Sequence, residues 1–261
     1  MRKAIIPIIF AAVLAATLLP GCSISGLGAI VSQKKDFTGF TSVDVDGTFD
    51  IEITRSESFS TTITVDESLS EYIAVSKEGE TLRIYLNPRN PFTDFTPQNK
   101  TMKAKITMPA LYGLRVSGAS KATVSGFDSS QNFNLNISGA SSLKIDDIKV
   151  SNLEGEVSGA SQVSGSINSN DVKLTVSGAS KVNLKGLAKD IILTTSGASK
   201  VDLTDFPMDN ANVNLSGASE ATLHIKGKLD CVVSAASSLY FLGNPTMGNV
   251  QVTGASTIKH K

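Results

Sequence analysis

From Leu114 onward, apolar and polar residues alternate in short runs along the chain. In Leu114–Val116 two apolar residues flank an arginine, and Leu135–Ile137 and Leu174–Val176 repeat this pattern around Asn136 and Thr175. Strict alternation puts every second side chain on one face of a β-strand, so each run predicts a strand with one buried face. Helix is disfavoured here by the many β-branched residues, serines, asparagines and glycines.

Each of these runs ends in the tetrapeptide Ser-Gly-Ala-Ser or in a close variant of it. Six identical copies and two variants follow one another at spacings of 18 to 21 residues. The copies begin at Ser117, Ser138, Ser158, Ser177, Ser196, Ser216, Ser234 and Thr253. A second alternating run follows most copies, as in Val182–Leu184 and Val201–Leu203, and then a second turn at Gly186 or Asp205. Each repeat is therefore predicted to be a strand, a corner, a second strand and a second turn.

Repeats of this length cannot bury a hydrophobic face alone, but a stack of them can. Coils that pair at the ~4.8 Å strand spacing would place equivalent residues in columns, and eight coils would span roughly 40 Å. Valine, isoleucine and leucine would fill the interior, while glycine would allow the sharp bend at the corner. The sequence therefore predicts an all-β fold, a parallel β-helix (β-solenoid) with coils of about 20 residues.

The rest of the chain divides into segments with different expected roles. Residues 1–21 combine a basic start with an apolar run and a small-residue site, the features of a secretory signal peptide. An uncleaved membrane helix is less favoured, because an apolar run of about 16 residues is short for a ~30 Å hydrocarbon core. Residues 22–35 are expected to be a flexible tether. Residues 36–112 are expected to be an irregular N-terminal β region, either opening coils or a cap, before the solenoid of residues 113–261.

The segment Leu19–Cys22 resembles a bacterial lipobox, in which the cysteine is lipidated and becomes the mature N-terminus. We therefore expect Cys22 to be the lipidation site and the membrane to be a partner through that lipid. Cys231 is the only other cysteine, so no intrachain disulfide is expected once Cys22 carries lipid.

Composition and charge exclude some classes of function. The chain has 24 basic and 24 acidic residues, and this balance argues against nucleic acid as a partner. Tryptophan is absent and aromatic residues make up 6% of the chain, so its core must be filled by aliphatic side chains.

No catalytic residue, cofactor site or metal site is predicted. His224 and His260 have no cysteine or histidine neighbours at ligand spacing, and Cys231 lies in the inward phase of a strand, where an inert thiol is expected. The repeated serines lack the Gly-x-Ser-x-Gly turn of a hydrolase.

The catalytic alternative is a β-helical enzyme acting on polysaccharides, which would need carboxylates gathered on one face. The acidic residues considered for this role are Asp146, Asp147, Asp202, Asp205 and Asp209. Acidic residues at turns more often form the turn and remain solvated.

Two surfaces are candidates for binding a partner. The segment Asn87–Lys100 contains three prolines and is predicted to be a loop, with Arg89, Phe92 and Phe95 as its contact residues. The alternative is that the two phenylalanines cover the end of the solenoid. The second surface is a column containing Lys121, Lys181 and Lys200, which would bind anionic glycan or lipid head groups or, alternatively, remain solvated and discourage aggregation.

Several further motifs carry a family resemblance. They are Phe40–Gly47, Gly79–Ile84, Ile106–Leu111, the serial Ser-Gly-Ala-Ser corners and the closing Tyr240–Pro245. With these motifs the chain resembles the family named putative auto-transporter adhesin, head GIN domain, common as lipoproteins in Bacteroidetes-type bacteria. The resemblance implies a right-handed β-helical fold and an envelope or surface location, and it brings no catalytic residues.

The sequence thus predicts a non-enzymatic, lipid-anchored protein of the cell envelope. We expect an outer membrane lipoprotein, facing the periplasm or the cell surface, whose solenoid binds a glycan or a surface protein. Two alternatives stay open, a carbohydrate-active β-helix enzyme and a purely structural scaffold. No cofactor is expected, and a homo-oligomer is compatible with the free ends and faces of a solenoid.

Overall fold

A computed structural model describes residues 29–87 and 100–261. It is 65% strand and 3% helix, and its stacked parallel coils form a β-solenoid of about 7 turns. The strands are β1 (Ile30–Lys35), β2 (Ser42–Gly47), β3 (Asp50–Arg55), β4 (Ser60–Asp66), β5 (Ile73–Glu78), β6 (Thr81–Leu86), β7 (Met102–Met108), β8 (Gly113–Gly118), β9 (Lys121–Ser125), β10 (Phe133–Ile137), β11 (Ser142–Lys149), β12 (Asn152–Val157), β13 (Gln162–Asn168), β14 (Asp171–Val176), β15 (Lys181–Leu187), β16 (Asp190–Thr195), β17 (Lys200–Met208), β18 (Asn210–Leu215), β19 (Glu220–Ile225), β20 (Lys228–Val233), β21 (Ser238–Leu242), β22 (Thr246–Val252) and β23 (Thr257–His260). A short 3₁₀-helix, Glu67–Tyr72, lies between β4 and β5.

These strands form two sheets. Sheet A has the order β1-β4-β7-β3-β9-β11-β13-β15-β17-β19-β21-β23, and sheet B has the order β22-β20-β18-β16-β14-β12-β10-β8-β2-β6-β5. From β8 onward, consecutive strands alternate between the sheets, so each coil contributes one strand to each sheet. Neighbouring coils pair in parallel, as Leu135 does with Leu114. The predicted solenoid of short parallel coils is confirmed.

The core lies between the two sheets and is built from the inward columns. Val116, Ile137, Val157 and Val176 are in register on successive strands of sheet B, and all four are fully buried. Burying one aliphatic side chain of this size stabilises a fold by about 1.5–3 kcal/mol. Because every coil repeats the same inward positions, the apolar core extends without a break along the stack.

The Ser-Gly-Ala-Ser corners carry the backbone ladder from sheet B to sheet A. Each alanine N–H donates to the carbonyl of the glycine one coil earlier, at 2.7 Å from Ala179 to Gly159 and 2.8 Å from Ala198 to Gly178. The corner glycines have φ between 71° and 79°, a left-handed backbone conformation that residues with a side chain rarely adopt. A Cβ on Gly217 would also lie 2.6 Å from the carbonyl oxygen of Gly197. Both the torsion and the close approach therefore select glycine at this position.

The last serine of every corner before the final one points inward rather than to solvent. Ser120, Ser180 and Ser199 are at most 1% exposed, and the Ser199 hydroxyl donates to the carbonyl of Gly178 at 3.2 Å. Ser141 and Ser161 are buried in the same column, and their hydroxyls have no hydrogen-bond partner within the described part of the chain. These serines therefore belong to the interior of the corner and present no surface to a ligand.

The N-terminal region contributes both parallel coils and an antiparallel end. β2 and β3 form a coil with its own corner, in which Gly47 is in register with Gly118. β6 and β7 pair in parallel with β2 and β3, and the antiparallel strands β5, β4 and β1 then complete the two sheets at this end.

The prediction of a flexible tether over residues 22–35 is wrong for its last six residues. Ile30–Lys35 form β1, and all six residues pair with β4. Val31 also packs against the core, so this segment gains backbone hydrogen bonds and apolar contact that hold it on the sheet.

We predict opposite effects for two substitutions in the corner column. Gly178→Ala should lower the free energy of unfolding by about 2–4 kcal/mol, because it combines an unfavourable φ of 74° with a clash against the Gly159 carbonyl. Ala235→Gly should raise it by about 0.5–1 kcal/mol, because Ala235 already adopts a φ of 64°. Urea denaturation followed by circular dichroism measures both changes.

Gly155→Ala is the matched control, because Gly155 lies in a strand without a positive φ. A Cβ there would meet only the flexible end of Leu174, at 2.9 Å, so we expect a smaller cost than at Gly178. Equal losses for the two glycine substitutions would show that the corner geometry is not what selects glycine.

Candidate binding site

The predicted lipidation site and the predicted partner-binding residues lie outside the described residues. Cys22, Arg89, Phe92 and Phe95 therefore keep the roles predicted from the sequence as predictions. Along the chain, β6 in sheet B is followed by β7 in sheet A, the same step between sheets that the tetrapeptide makes in later coils.

The histidines and Cys231 occupy structural positions. His224 Nδ1 lies 3.3 Å from the carbonyl oxygen of Thr204, and His260 Nε2 lies 2.8 Å from that of Gly243. Cys231 is 2% exposed, and burial raises the pKa of its thiol. Within residues 29–87 and 100–261, no three histidine, cysteine or acidic side chains come together to hold a metal ion.

The acidic residues considered for catalysis are not gathered in a shared groove, and Asp202 and Asp205 have local partners. Asp202 accepts hydrogen bonds from the side chain and backbone N–H of Thr204, at 2.7 and 3.1 Å, and the side-chain bond lowers the pKa of Asp202. Asp205 lies 3.3 Å from the Lys185 ammonium. Asp147 adopts a φ of 50°, typical of an acidic residue that forms a turn. None of these residues lines the groove described next.

A groove runs over the outer face of sheet B, and we call it the sheet B groove. Its main part has a volume of about 670 Å³, and an adjoining part of about 280 Å³ shares Asn134, Glu154 and Lys173 with it. Its lining residues come from the neighbouring strands β6, β2, β8, β10, β12, β14 and β16. At the ~4.8 Å strand spacing, this series of strands extends roughly 30 Å along the solenoid axis.

Gly113 creates the depression at the floor of the groove. It stands in an outward column in register with Ser42 and Asn134, where other coils carry larger side chains such as Glu154 and Lys173. A Cβ at Gly113 would lie 2.7 Å from the Ser42 hydroxyl, so a side chain here would reduce the space.

Hydrogen bonds and ion pairs orient the side chains of the groove. Lys173 Nζ lies 2.6 Å from Glu154 Oε1, and this hydrogen bond raises the pKa of Lys173. Asn136 donates to Glu156 at 3.2 Å. Arg115 forms no ion pair with any of the described residues, so its guanidinium is available to a ligand.

The lining is polar and carries a negative net charge. Five acidic residues, Asp44, Glu154, Glu156, Asp171 and Asp190, face two basic ones, Arg115 and Lys173, so the charged side chains sum to −3. Amide and hydroxyl groups occupy most other outward positions. Donors and acceptors spaced along several coils suit a long ligand with many hydroxyl groups better than a small or strongly charged one.

The alternating pattern predicted that Arg115, Asn136 and Thr175 point outward, but it did not identify the groove. The available signal was Gly113, a glycine at an outward position of a strand. A glycine in a strand often marks a site where a ligand or another backbone segment approaches closely.

The lysine column on sheet A is interrupted. Lys121 is in register with Ser142 and Lys181 with Gln162, while Lys181 and Lys200 are adjacent. Lys200 lies 2.7 Å from Glu220, and the hydrogen bond between them raises the pKa of the lysine. The column is therefore not a continuous basic surface.

Among the described residues, no helix has the length and apolar character needed to span a membrane.

Several solved structures share the fold at low sequence identity. A protein from Parabacteroides distasonis named as a putative lipid binding protein is 17% identical, with a TM-score of 0.82, over 90% of this chain and 98% of that one. A putative adhesin from Parabacteroides merdae is also 17% identical, with a TM-score of 0.78 and the same coverage. A putative adhesin from Bacteroides fragilis is 18% identical, with a TM-score of 0.68, over 89% of this chain and 97% of that one.

No curated protein matches the chain. The family described as putative auto-transporter adhesin, head GIN domain, matches residues 39–245, which is more than half of the sequence. That span includes the first coil, strands β4 and β5 of the antiparallel end and all of the strands that line the sheet B groove. The chain belongs to the putative auto-transporter adhesin, head GIN domain, family.

Proposed function

We propose that this protein is a non-enzymatic, lipid-anchored protein of the cell envelope that binds a glycan in the sheet B groove. The sheet B groove is the observation that carries the proposal, because it aligns polar side chains of neighbouring coils over roughly 30 Å. The family name and the neighbouring adhesins support a binding role at an envelope or surface location.

The chemistry of the groove favours an uncharged glycan. Sugar hydroxyls donate to the carboxylates of Glu154 and Glu156 and accept from Arg115 and the amide of Asn134. Because the charged side chains sum to −3, the groove offers no net attraction to a polyanion. Successive rings of an extended glycan along the solenoid axis would meet equivalent positions on successive coils.

A protein ligand suits this groove less well. The centres of protein interfaces are enriched in aromatic residues and depleted of charged ones. Ile192 is the exposed large hydrophobic residue among those that line the groove, and it lies at one end, on β16.

A glycoside hydrolase is also less well supported. Such enzymes need one carboxylic acid that stays protonated, usually through burial in apolar surroundings. Glu154 and Glu156 are both exposed, and each already has a partner, Lys173 or Asn136.

Lipidation at Cys22 would attach the solenoid by its antiparallel end. Seven residues separate Cys22 from Ile30, the first residue of β1, and they span at most about 25 Å. The groove lies along the side of the solenoid, so an anchor at that end leaves it accessible.

For the groove, we predict that Arg115→Ala combined with Asn134→Ala weakens glycan binding at least about tenfold, or about 1.4 kcal/mol. Both side chains line the groove, and their removal deletes a charged donor and an amide. The full chain in detergent is screened on a glycan array, and the strongest hit is then titrated by calorimetry against both proteins.

The matched control is Lys181→Ala combined with Asn183→Ala, which removes a cation and an amide from exposed positions of β15 on the opposite sheet. It should leave the affinity unchanged. An array without any hit, or equal losses for both double variants, would exclude the groove as the glycan site. Release of shortened products in a parallel polysaccharide screen would support the enzyme alternative instead.

For the anchor, we predict that Cys22→Ala moves the protein from the membrane fraction to the soluble fraction, because it removes the sulfur that carries the lipid. Mass spectrometry of the N-terminal peptide should show a diacylglyceryl group on the wild type. Cys231→Ala is the control and should stay in the membrane fraction. A wild-type peptide without lipid, or membrane retention of Cys22→Ala, would contradict the proposed anchoring.

A further inference from the structure

The last coil of the solenoid exposes positions that earlier coils bury. Val250 and Val252 on β22 are in register with Cys231 and Val233 on β20. Cys231 and Val233 are 2% and 0% exposed, whereas Val250 and Val252 are 39% and 46% exposed. The residue types still follow the inward columns, and the difference is that no described residue packs on the far side of β22.

The opposite end of the solenoid is closed. Ile63, Val65 and Leu69, on β4 and the adjoining 3₁₀-helix, are between 1% and 5% exposed. The antiparallel strands at that end therefore complete the core, whereas no described residue does so beyond β22 and β23.

The two ends also differ in how their edge strands are protected. The N-terminal edges carry charges, Lys34 and Lys35 on β1 and Lys77 and Glu78 on β5. Charged side chains on edge strands oppose pairing with another chain. β22, Thr246–Val252, contains no charged residue. It is an exposed, uncharged edge strand with apolar side chains, the kind of edge that pairs with another strand.

Any occupant of this end must meet several conditions at once. It must offer two strand edges at the separation of the two sheets, together with aliphatic side chains between them. At the corner, the carbonyl of Gly254 accepts no hydrogen bond from the described residues. In earlier coils the corresponding carbonyl accepts the N–H of the next coil, as Gly217 does from Ala236.

We infer that the C-terminal coil is a self-association surface through which two copies of this chain pair tail to tail. A second copy presents the same two edges at the same separation. A two-fold axis perpendicular to the sheets sets β22 antiparallel to β22 of the second copy and β23 antiparallel to its counterpart. The contact thus pairs the edge strands of both sheets across the two copies, in antiparallel fashion, whereas the coils within each chain pair in parallel.

The charges favour this arrangement over head-to-tail stacking. Head-to-tail contact in sheet A would bring Lys34 and Lys35 of β1 towards Lys259 and Lys261 at the other end. In the two-fold pair, an antiparallel register centred on Ile258 places Lys259 opposite Thr257 of the second copy.

Sedimentation velocity of the full chain in detergent, over a range of concentrations, tests the inference. The wild type should change from one copy to two as the concentration rises. Val250→Lys combined with Val252→Lys should stay as single copies, because the new ammonium groups are solvated at an open end but lose their water in the pair. Val232→Lys, at a 37% exposed position on the neighbouring strand β20, is the control and should pair as the wild type does.

Hydrogen exchange on the wild type gives a second readout that does not depend on a variant folding. Pairing should slow amide exchange in β22 and β23 at high concentration and leave β1 and β5 unchanged. A wild type that stays single at every concentration would overturn the inference, as would a double lysine variant that still pairs, or protection that appears at β1 or β5. None of these results depends on whether the sheet B groove binds a glycan.

Discussion

Successive corners of this solenoid approach so closely that the carbonyl oxygen of one glycine occupies the space that a Cβ on the next would need. The same carbonyl accepts the alanine N–H of the following coil, so the close approach also produces the hydrogen bond that joins successive coils at the corner between the two sheets. If a corner were displaced, the strands on both sides of it would lose their register, and the inward columns would no longer align. The packing of the core and the alignment of side chains on the outer faces thus both depend on the close stacking of the corner glycines.

The alternating pattern and the regular spacing of the tetrapeptide were enough to predict the coil, its inward columns and the parallel stack. The N-terminal region was harder to predict, because Asp46-Gly47-Thr48-Phe49 forms a corner without matching the tetrapeptide. Phe49 takes the place of the inward serine there and is 1% exposed. The strand Ile30–Lys35 was missed because its burial comes from pairing with β4, a contact between segments about 30 residues apart. The segment Ile30–Lys35 itself reads Ile-Val-Ser-Gln-Lys-Lys, which does not alternate between apolar and polar residues.

The sheet B groove is formed by columns of outward side chains on stacked coils, and no single sequence motif encodes it. Its residues are spread from Ser42 to Ile192, and only the stacking of coils places them side by side. The sequence indicated which of these residues point outward, but the depression depends on Gly113 lying between Ser42 and Asn134 in neighbouring strands. The carboxylates considered for catalysis, in contrast, interact with nearby residues. Asp202 accepts a hydrogen bond from Thr204, and Asp205 forms an ion pair with Lys185.

The direction of the hydrogen bonds between coils also determines how this protein would respond to mechanical force. Those bonds lie along the long axis, and each coil contacts only its neighbours. Tension applied to the C-terminus against a fixed N-terminus would therefore peel coils away one at a time, and each would release roughly 60 Å of chain. The strands that line the groove end at β16, so the coils from β18 to β23 could unravel under load before a ligand lost its site. If the N-terminus is held, the coils from β18 to β23 would thus lengthen the molecule under tension while the groove stays folded.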